Sequence, residues 1–438
     1  MKEKTDFLIS YEHKARELDT IVLLKQELEK RGYTVRIHCS YENDVFKYPQ
    51  FSKVKAKCVI VPAAYDIDVI DYFSFSIVGL VKKIINLQWE QVLSIEEESD
   101  KNGYHNPKGI ARNIVHLCWG EASQRRLMVS GVPKSRCVVT GPGHMDILRK
   151  PYSKKILNKD VLSENFCIDS HKKWILFISS FSLNDLDVQN KEYIRNSMGI
   201  EYFDSFYNFS VKSREEILKW FDYYLLENSN SIIIYRPHPD EVNKNNELKK
   251  LEKKHENFKV ISDLVITHWI NSADIILNWY STAKAYVVFQ NKFEYVLRPI
   301  PIEKKYEVSI MNGDSFVTTY EEFFDVVTND KRESYPMRDI SDYYDFDKEV
   351  PTYKRIADMC EQILKSKKYD VFIPLRYKAH FFIRMLKNIA FLFLSKKKSN
   401  NVYVKRTIEK RKELELFLSN GYARNVATEE DIKNILDF

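Results

Sequence analysis

A short apolar run that ends abruptly constrains this chain more than any other stretch. Ser231–Tyr235 is rich in β-branched residues and predicts a buried strand. Pro237 lacks an N–H and cannot continue a central strand, so Arg236 and His238 fall in the turn that follows. Because ligands of open α/β sheets bind at the carboxyl ends of strands, both side chains are placed to bind phosphate. The alternative is that Arg236 pairs with a carboxylate and His238 caps the next helix.

A second strand end carries similar groups. Asp274–Leu277 predicts another short apolar strand, and Ser281 and Thr282 open a predicted helix that runs to Phe289. Hydroxyl groups and free N–H groups at the start of a helix form an anion site. An ordinary N-cap explains the same two residues, but two neighbouring strand ends with phosphate-binding groups favour a ligand site.

These two motifs carry a resemblance to a known family. Arg-Pro-His-Pro, followed by Ala-Asp-Ile-Ile and Ser-Thr, resembles the donor half of GT-B glycosyltransferases. More narrowly, it resembles bacterial surface-carbohydrate proteins of capsule and lipopolysaccharide biosynthesis. It is also similar to the His-Pro and Ser motifs of polysialyltransferases and CDP-glycerol glycerophosphotransferases. The resemblance covers residues 7–364 and implies an α/β protein with two Rossmann-like, doubly wound domains facing a cleft.

Length and composition agree with a globular two-domain protein. The chain has 438 residues, of which 44% are hydrophobic, enough for two cores. Its six cysteines form no CxxC pair and its ten histidines show no ligand spacing, so we expect no metal site and a reducing compartment. The polar start and the lack of a long apolar run predict a cytoplasmic protein without a signal peptide or membrane span. We expect no cofactor, with the nucleotide sugar serving as co-substrate.

The N-terminal pattern predicts a parallel sheet. A strand at Asp6–Ser10, a helix ending near Arg31 and a strand at Val35–Cys39 make a βαβ unit. The turn after the first strand lacks the glycines of a dinucleotide-binding loop. We expect it to project acceptor-side groups into the cleft, although a solvated helix start is the alternative; these groups are Glu12, His13, Lys14 and Arg16.

Glu90 is the leading candidate for a general base. It follows a predicted strand at Ile84–Leu87 and lies beside Trp89, which would exclude water and raise the pKa of the carboxyl. The alternative is that Glu90 pairs with a lysine and Trp89 fills the core. Gln91 is the next acceptor-side candidate, and Glu12 is the second candidate for the base.

Other strand ends complete the predicted site. Gly141 would let the backbone approach a ligand or the opposing domain, and Ser179 and Ser180 end the first strand of the second domain. The resemblance implies that Glu294 contacts the donor ribose. We predict a mobile loop at 96–113, a linker at 150–173, a long insertion at 183–210 and a helix that begins at Ser213 with a capping box.

Three parts follow from this pattern. They are an acceptor domain at 1–155, a donor domain at 165–365 and a basic helical tail at 366–438. Within the tail, Arg376–Lys398 is basic, aromatic and helix-like, which suits an anionic membrane surface on the inner face of the plasma membrane. A helix packed on the body of the protein is the alternative. No nucleic-acid-binding module accompanies the tail, so we expect no nucleic-acid partner.

The resemblance implies a metal-independent glycosyltransferase that uses a nucleotide-activated donor, with CMP or CDP favoured, and a glycan or lipid-linked acceptor. Glu90 or Glu12 would act as base, and the leaving phosphate would be neutralised by Arg236, His238, Ser281 and Thr282. A CDP-glycerol-type polyol-phosphate transferase, a sugar-nucleotide epimerase and a non-catalytic assembly partner are the alternatives.

Overall fold

Two six-stranded parallel sheets form the framework of the protein. The computed structural model describes residues 3–42, 54–186, 188–238, 241, 246–347, 349–396 and 425–436. Contacts divide the chain into two units: unit 1 is Met1–Gln91, Asp100–Ile147 and Ser341–Phe438, and unit 2 is Val92–Ser99 and Leu148–Ile340. These units differ from the predicted boundaries, because residues 92–99 and 148–155 belong to unit 2 and residues 341–365 belong to unit 1. Pro239 of Arg-Pro-His-Pro, and residues 397–424, 437 and 438 of the predicted tail, lie outside the described residues.

The sheet of unit 1 has the strand order β2-β1-β3-β4-β5-β6, and all its pairs are parallel. The direction in which the sheet grows reverses between β1 and β3, so the topological switch point lies there. The last residues of β1 and β3 are buried, as expected for strands covered on both faces. The strands are β1 (Glu3–Tyr11), β2 (Val35–Cys39), β3 (Val54–Val61), β4 (Ile84–Asn86), β5 (Val115–Cys118) and β6 (Cys137–Val139).

The sheet of unit 2 has the order β12-β11-β10-β7-β8-β9, again with parallel pairs. Its switch point lies between β7 and β10, which are hydrogen-bonded neighbours. The strands predicted at 231–235 and 274–277, and the strand predicted to end at Ser179, are thus confirmed. The strands are β7 (Lys173–Ile178), β8 (Ser231–Arg236), β9 (Phe258–Val260), β10 (Ile275–Asn278), β11 (Tyr295–Leu297) and β12 (Phe316–Val317).

Helices connect these strands, as parallel pairing requires. A π-helical turn, Asp71–Phe75, joins α2 to α3. The described helices are α1 (Lys14–Lys30), α2 (Ile67–Ile70), α3 (Ser76–Val78), α4 (Ile95–Ser99), α5 (Glu121–Val129), α6 (Lys159–Phe166), α7 (Val188–Met198), α8 (Ile200–Glu227), α9 (Asn246–Lys254), α10 (Ile266–Ser272), α11 (Lys284–Phe289), α12 (Tyr320–Asn329), α13 (Thr352–Lys365), α14 (Leu375–Lys396) and α15 (Glu429–Leu436).

Several predicted loops are helical. The predicted insertion at 183–210 contains α7 and the start of α8, and Ser213 is buried inside α8 instead of beginning a helix. The reason is tertiary packing. Helix α8 buries an aromatic face in the core of unit 2, and this face is hard to recognise in a stretch that is also rich in polar residues. The predicted linker likewise contains α6, and the predicted loop at 96–113 begins within α4 and ends in a 3₁₀ turn, Gly109–Asn113. The aromatic residues of α8 in this core include Phe203, Phe206 and Phe209.

The segment that follows residue 341 packs against two glycines of unit 1. A Cβ on Gly120 would lie 2.5 Å from the carbonyl oxygen of Asp342, and one on Gly141 would lie 2.7 Å from that of Asp345. Gly141 also has a φ of +88°, which L side chains rarely adopt. The close approach that Gly141 permits is to residue 345, in the segment that the predicted boundaries had assigned to the second domain.

A buried aspartate fixes the next helix to unit 1. The fully buried carboxylate of Asp146 accepts hydrogen bonds from the backbone N–H groups of Thr352 at 2.9 Å and Tyr353 at 2.7 Å. These groups lie in the first turn of α13, where N–H groups have no partner within the helix. Asp146 therefore caps α13 from a distant part of the sequence.

We expect Asp146→Ala to lower the free energy of unfolding by about 2–3 kcal/mol, because it leaves buried N–H groups without an acceptor at a helix start. Urea unfolding followed by circular dichroism measures the change. Glu121→Ala, at an exposed carboxylate, is the control and should change the value by less than about 0.5 kcal/mol. Equal effects of the two substitutions would contradict the capping role.

Candidate active site

A pocket of about 390 Å³ lies in unit 1 at the switch point between β1 and β3. Its lining comes from the segments that follow β1, β3 and β4, at the carboxyl edge where open α/β sheets bind ligands. The predicted acceptor-side residues Glu12, His13, Arg16 and Glu90 all line it. The fold thus brings together four of the side chains that the sequence singled out.

Arg16 joins the candidate base to a buried carboxyl group. Its guanidinium donates hydrogen bonds to the carboxylates of Glu90 and, at 2.9 Å, Glu17. The Glu90 side chain is 45% exposed, whereas that of Glu17 is fully buried. Glu17 also accepts a hydrogen bond from the backbone N–H of Glu12 at 2.9 Å. The pair Arg16–Glu17 therefore fixes both the first loop and the Glu90 carboxylate.

The predicted shielding of Glu90 by Trp89 is wrong. Trp89 is buried and its ring lies against Trp119 and His144, with centroids 6.4 and 6.0 Å away. Burial lowers the pKa of His144 to about 3, so the imidazole is neutral. The group that is removed from water is instead Glu17, whose pKa burial raises to about 7 despite the nearby charge of Arg16. The sequence signal for Glu17 was its position beside Arg16 on the buried face of α1.

Aromatic groups form the outer wall of the same pocket. Tyr65 is buried, and its ring lies 5.2 Å from that of Tyr104 and 5.4 Å from that of His105. Tyr104 is 67% exposed, so its ring stays open to solvent in the pocket that Glu90 also lines. Tyr104 and His105 were not predicted because their segment, 96–113, was interpreted only as a mobile loop.

Two other acceptor-side candidates, Gln91 and Lys14, bind other parts of unit 1. Gln91 is buried, and its amide donates to the carbonyls of Leu87 and Leu117 while accepting from the N–H of Trp119. It ties β4 to β5 and does not line the pocket, so the predicted ligand contact of Gln91 is wrong. Lys14 forms an ion pair with Asp431 of α15 at 3.2 Å.

In unit 2, Arg236 is held by the backbone. Its guanidinium donates to the carbonyls of Ile261, Asp263 and Leu264, and its pKa falls to about 10 because the group is buried. These bonds fix the segment after β9. The sequence predicted that Arg236 either binds a phosphate or pairs with a carboxylate. The guanidinium instead contacts three backbone carbonyls, whose meeting at this point the sequence does not show.

Ser179 and His238 both donate hydrogen bonds to the buried carboxylate of Glu241, which was not predicted from the sequence. Glu241 accepts hydrogen bonds from the hydroxyl groups of Ser179 and Tyr235 and from the backbone N–H of His238. Burial raises the pKa of Glu241. The carboxylate therefore fixes the turn after β8 beside the end of β7. The neighbouring Ser180 is half-buried at the same strand end.

Two buried side chains, Asn278 and Glu294, hold the turn that contains Ser281. Asn278 donates to the carbonyl of Ser281 and accepts from its N–H, both at 2.8 Å, and it also donates to the carboxyl of Glu294. Glu294 is 1% exposed and burial raises its pKa to about 8. It lies under the turn, so the predicted contact with a donor ribose is wrong. Thr282 is exposed at the surface of the turn.

The topology places the remaining donor-side residues at one switch point. Ser179 and Ser180 follow β7, and Ser281 and Thr282 follow β10, in which Asn278 is paired with Ile178 of β7. This strand order is the one that binds nucleotides at the reversal between its first and fourth strands. The helix after Ser281 has only six residues, so its dipole is small. The groups that could bind a ligand here are the hydroxyl groups and the N–H groups of the turn.

No protein-family model matches the sequence, and no curated protein matches it significantly. Solved structures do match. They include MnaA from S. aureus in a co-structure with UDP (13% identity, 83% of this chain and 97% of that chain, TM-score 0.51). UDP-GlcNAc 2-epimerase from Neisseria meningitidis bound to UDP-GlcNAc matches at 12% identity over 81% of this chain and 100% of that chain, with a TM-score of 0.52.

The wall teichoic acid polymerase TagF with CDPG matches at 11% identity, over 82% of this chain and 89% of that chain, with a TM-score of 0.51. The protein has the two-domain GT-B fold. The predicted pair of doubly wound α/β domains is thereby confirmed. At these identities the likeness establishes the fold alone.

The buried carboxyl of Glu17 predicts a pH dependence of stability. Its pKa is about 7 in the folded protein and 4.5 ordinarily, so between these pH values the folded protein holds this proton more tightly. Its contribution to the free energy of unfolding therefore falls as the pH rises through this window. From pH 5 to pH 8, we expect the wild type to lose at most about 3 kcal/mol relative to Glu17→Gln.

Urea unfolding at pH 5, 6, 7 and 8 tests this expectation, with Glu121→Gln as the exposed control. A wild-type minus Glu17→Gln difference that does not change with pH would contradict the raised pKa.

Proposed function

We propose that the protein is a glycosyltransferase of surface-polysaccharide assembly. It moves a sugar from a nucleotide-activated donor, with CMP or CDP favoured, to a growing glycan or a lipid-linked acceptor. The observation that carries this proposal is the pocket at the β1/β3 switch point, where an exposed carboxylate, Glu90, is held by Arg16 beside an open aromatic wall. Aromatic faces of this kind pack against the apolar faces of sugar rings.

Glu90 is the proposed base. It accepts the proton of the acceptor hydroxyl as that oxygen bonds to the sugar carbon, while the bond from the carbon to the donor phosphate breaks and the nucleotide leaves. Arg16 positions the carboxylate through their ion pair. Glu12 lines the same pocket and is the alternative base.

The donor phosphate is proposed to bind in unit 2. Ser179, Ser180, Ser281 and Thr282 follow the two strands that flank the switch point, and His238 follows the neighbouring strand. Hydroxyl, N–H and imidazole donors can stabilise the leaving phosphate without a metal ion. Arg236 is assigned a positioning role for the segment after β9, because the backbone carbonyls occupy its guanidinium.

Nucleotide binding is the first test. At about 100 times its dissociation constant, a bound nucleotide should stabilise the wild type by roughly 2.7 kcal/mol, measured by thermal shift and calorimetry with CMP, CDP, UDP, GDP and TDP. Thr282→Glu should abolish this response through charge repulsion. The matched control is Thr328→Glu, since Thr328 is also exposed but its carbonyl accepts a bond from Lys173 at the opposite edge of the sheet.

A response to no nucleotide would overturn the transferase proposal in favour of a non-catalytic assembly partner. A response that both glutamate variants retain would move the donor site away from Ser281.

Glu90→Gln should lower the rate of transfer from the identified donor by about 10²- to 10⁴-fold, with the donor affinity unchanged. Radiolabelled donor and isolated membranes as the source of acceptor provide the assay, with EDTA present to test metal independence. Glu12→Gln in the same pocket is the matched control. A larger loss in Glu12→Gln would reassign the base, and transfer of glycerol phosphate from CDP-glycerol would identify a polyol-phosphate transferase.

We further propose that α14 lies on an anionic membrane surface. One face of the helix packs on unit 1 through Phe381, which joins the core formed around Val371 and Ile373. The opposite face carries a stripe of apolar side chains that are each more than half exposed: Leu375, Phe382, Ile383 and Leu386. Arg376, Lys378 and Lys387 flank this stripe on the helix surface.

An exposed apolar stripe between cationic residues is typical of helices that lie in the plane of a membrane interface. Among the helices within the described ranges, none is long and apolar enough to cross a membrane.

The protein should float with vesicles that contain phosphatidylserine and much less with neutral vesicles, and salt should weaken the binding. Leu386→Asp should reduce binding to anionic vesicles severalfold. Leu226→Asp, at an equally exposed leucine of α8, should leave it unchanged. Equal binding to neutral and anionic vesicles would contradict the role of the basic residues.

A further inference from the structure

A second pocket of unit 1 contains none of the residues proposed for the transfer chemistry. Its volume is about 300 Å³, at the lower end of the range for ligand sites. The segment from α2 to the residues after α3 forms one wall and α14 forms the other. The lining residues are Ile67, Asp68, Asp71, Phe75, Leu80, Arg376, Tyr377, His380, Phe381 and Arg384.

The inner surface of this pocket is apolar, and charged residues stand on both walls: Asp68 and Asp71 on the α2 side, and Arg376 and Arg384 on α14. Phe75 and Phe381 are buried in the surrounding core, with Ile67 and Leu80 packed against the same cluster. Asp71 forms an ion pair with Arg384 at 2.9 Å, so its charge is compensated within the wall. Arg376 and His380 are exposed on α14. The pocket therefore suits an apolar chain whose anionic end lies at the α14 wall, beside Arg376 and His380 and away from Asp68.

The pocket adjoins the candidate active site. Asp68 lines both pockets, and the helical segment that separates them is only a few residues wide. Val69, Tyr72 and Phe73 face the Glu90 pocket, whereas Asp71 and Phe75 face the other. A molecule whose apolar chain occupied this pocket would thus lie beside the Glu90 pocket.

We propose that this pocket binds the apolar chain of a lipid-linked acceptor, as a single alkyl or isoprenyl chain. The inference rests on the proposed function and specifies its acceptor class. The exposed stripe of α14 would bring the pocket to the membrane surface, where such a chain is found. The volume equals that of roughly ten water molecules, which is room for about ten carbons of one chain and not for a whole lipid.

Alkyl phosphates of increasing length, below their micelle concentrations, are the probes. In titration calorimetry with the full chain, affinity should rise about fourfold for each methylene that enters the pocket. It should then stop rising near roughly ten carbons, when the pocket is full. Adsorption on the open stripe of α14 would give no such limit.

Leu80→Trp and Ile67→Trp fill the pocket from two positions on its wall, and both native side chains are only partly buried. Melting temperatures close to that of the wild type identify the variants that remain folded. A folded variant should lose decyl phosphate binding by roughly a hundredfold or more, as expected when several methylenes are excluded. The control Leu386→Asp alters only the stripe and should retain it, as should Leu226→Asp.

A decyl phosphate that carries a diazirine at the end of its chain provides a measurement independent of folding. Cross-linking to Phe75, Leu80 or Phe381 of the wild type supports the proposal. Cross-linking confined to Phe382, Ile383 and Leu386, or unchanged binding in a folded tryptophan variant, would overturn it.

The binding assay contains no nucleotide, so its result is separate from that of the transferase proposal. If nucleotides fail to bind but the chain-length limit is found, the lipid site stands and the transferase proposal falls. If transfer is found without alkyl phosphate binding, the acceptor chain lies elsewhere and this inference is overturned.

Discussion

Parallel strand pairing is the constraint on which the rest of the structure depends. The ten strand pairings that the structure describes are all parallel, and such pairs need a crossover that returns the chain to the same edge. As a result, the residue after every strand lies at one edge of its sheet. Where the direction of growth reverses, neighbouring crossovers cover opposite faces and leave a crevice. The Glu90 pocket occupies that place in unit 1.

A buried charge network then fixes the side chains in this crevice. Glu17 is removed from water at the start of α1, where a carboxyl group is unfavourable unless donors surround it. Arg16 and the N–H of Glu12 supply those donors. The same guanidinium also binds Glu90. The ion pair that makes the burial of Glu17 possible therefore also sets the position of the exposed Glu90 carboxylate. Unit 2 uses the same means, with Glu241 beneath the Ser179 hydroxyl and Glu294 beneath the Ser281 turn.

The fold was largely predictable because its signals are local. Apolar, β-branched runs bounded by proline or polar turns identified β1, β7, β8 and β10, and the βαβ pattern predicted parallel sheets. The first half of helix α8, residues 200–212, was missed because its aromatic face is interrupted by Asn, Asp and Ser, and only the core that it covers makes it a helix. The capping box at Ser213 was misleading, since a Ser followed by Glu three residues later also occurs inside a long helix.

The sequence by itself determined which side chains follow the strands, and therefore that Glu12, His13, Arg16 and Glu90 would lie at one edge of a sheet. Tertiary structure alone decided what each of them touches. Arg236 contacts three carbonyls, Gln91 bridges two strands, and Glu294 is buried, because these partners come from segments far apart in the chain. Periodicity and turn chemistry act over a few residues, whereas burial and hydrogen-bond partners depend on the whole packed unit.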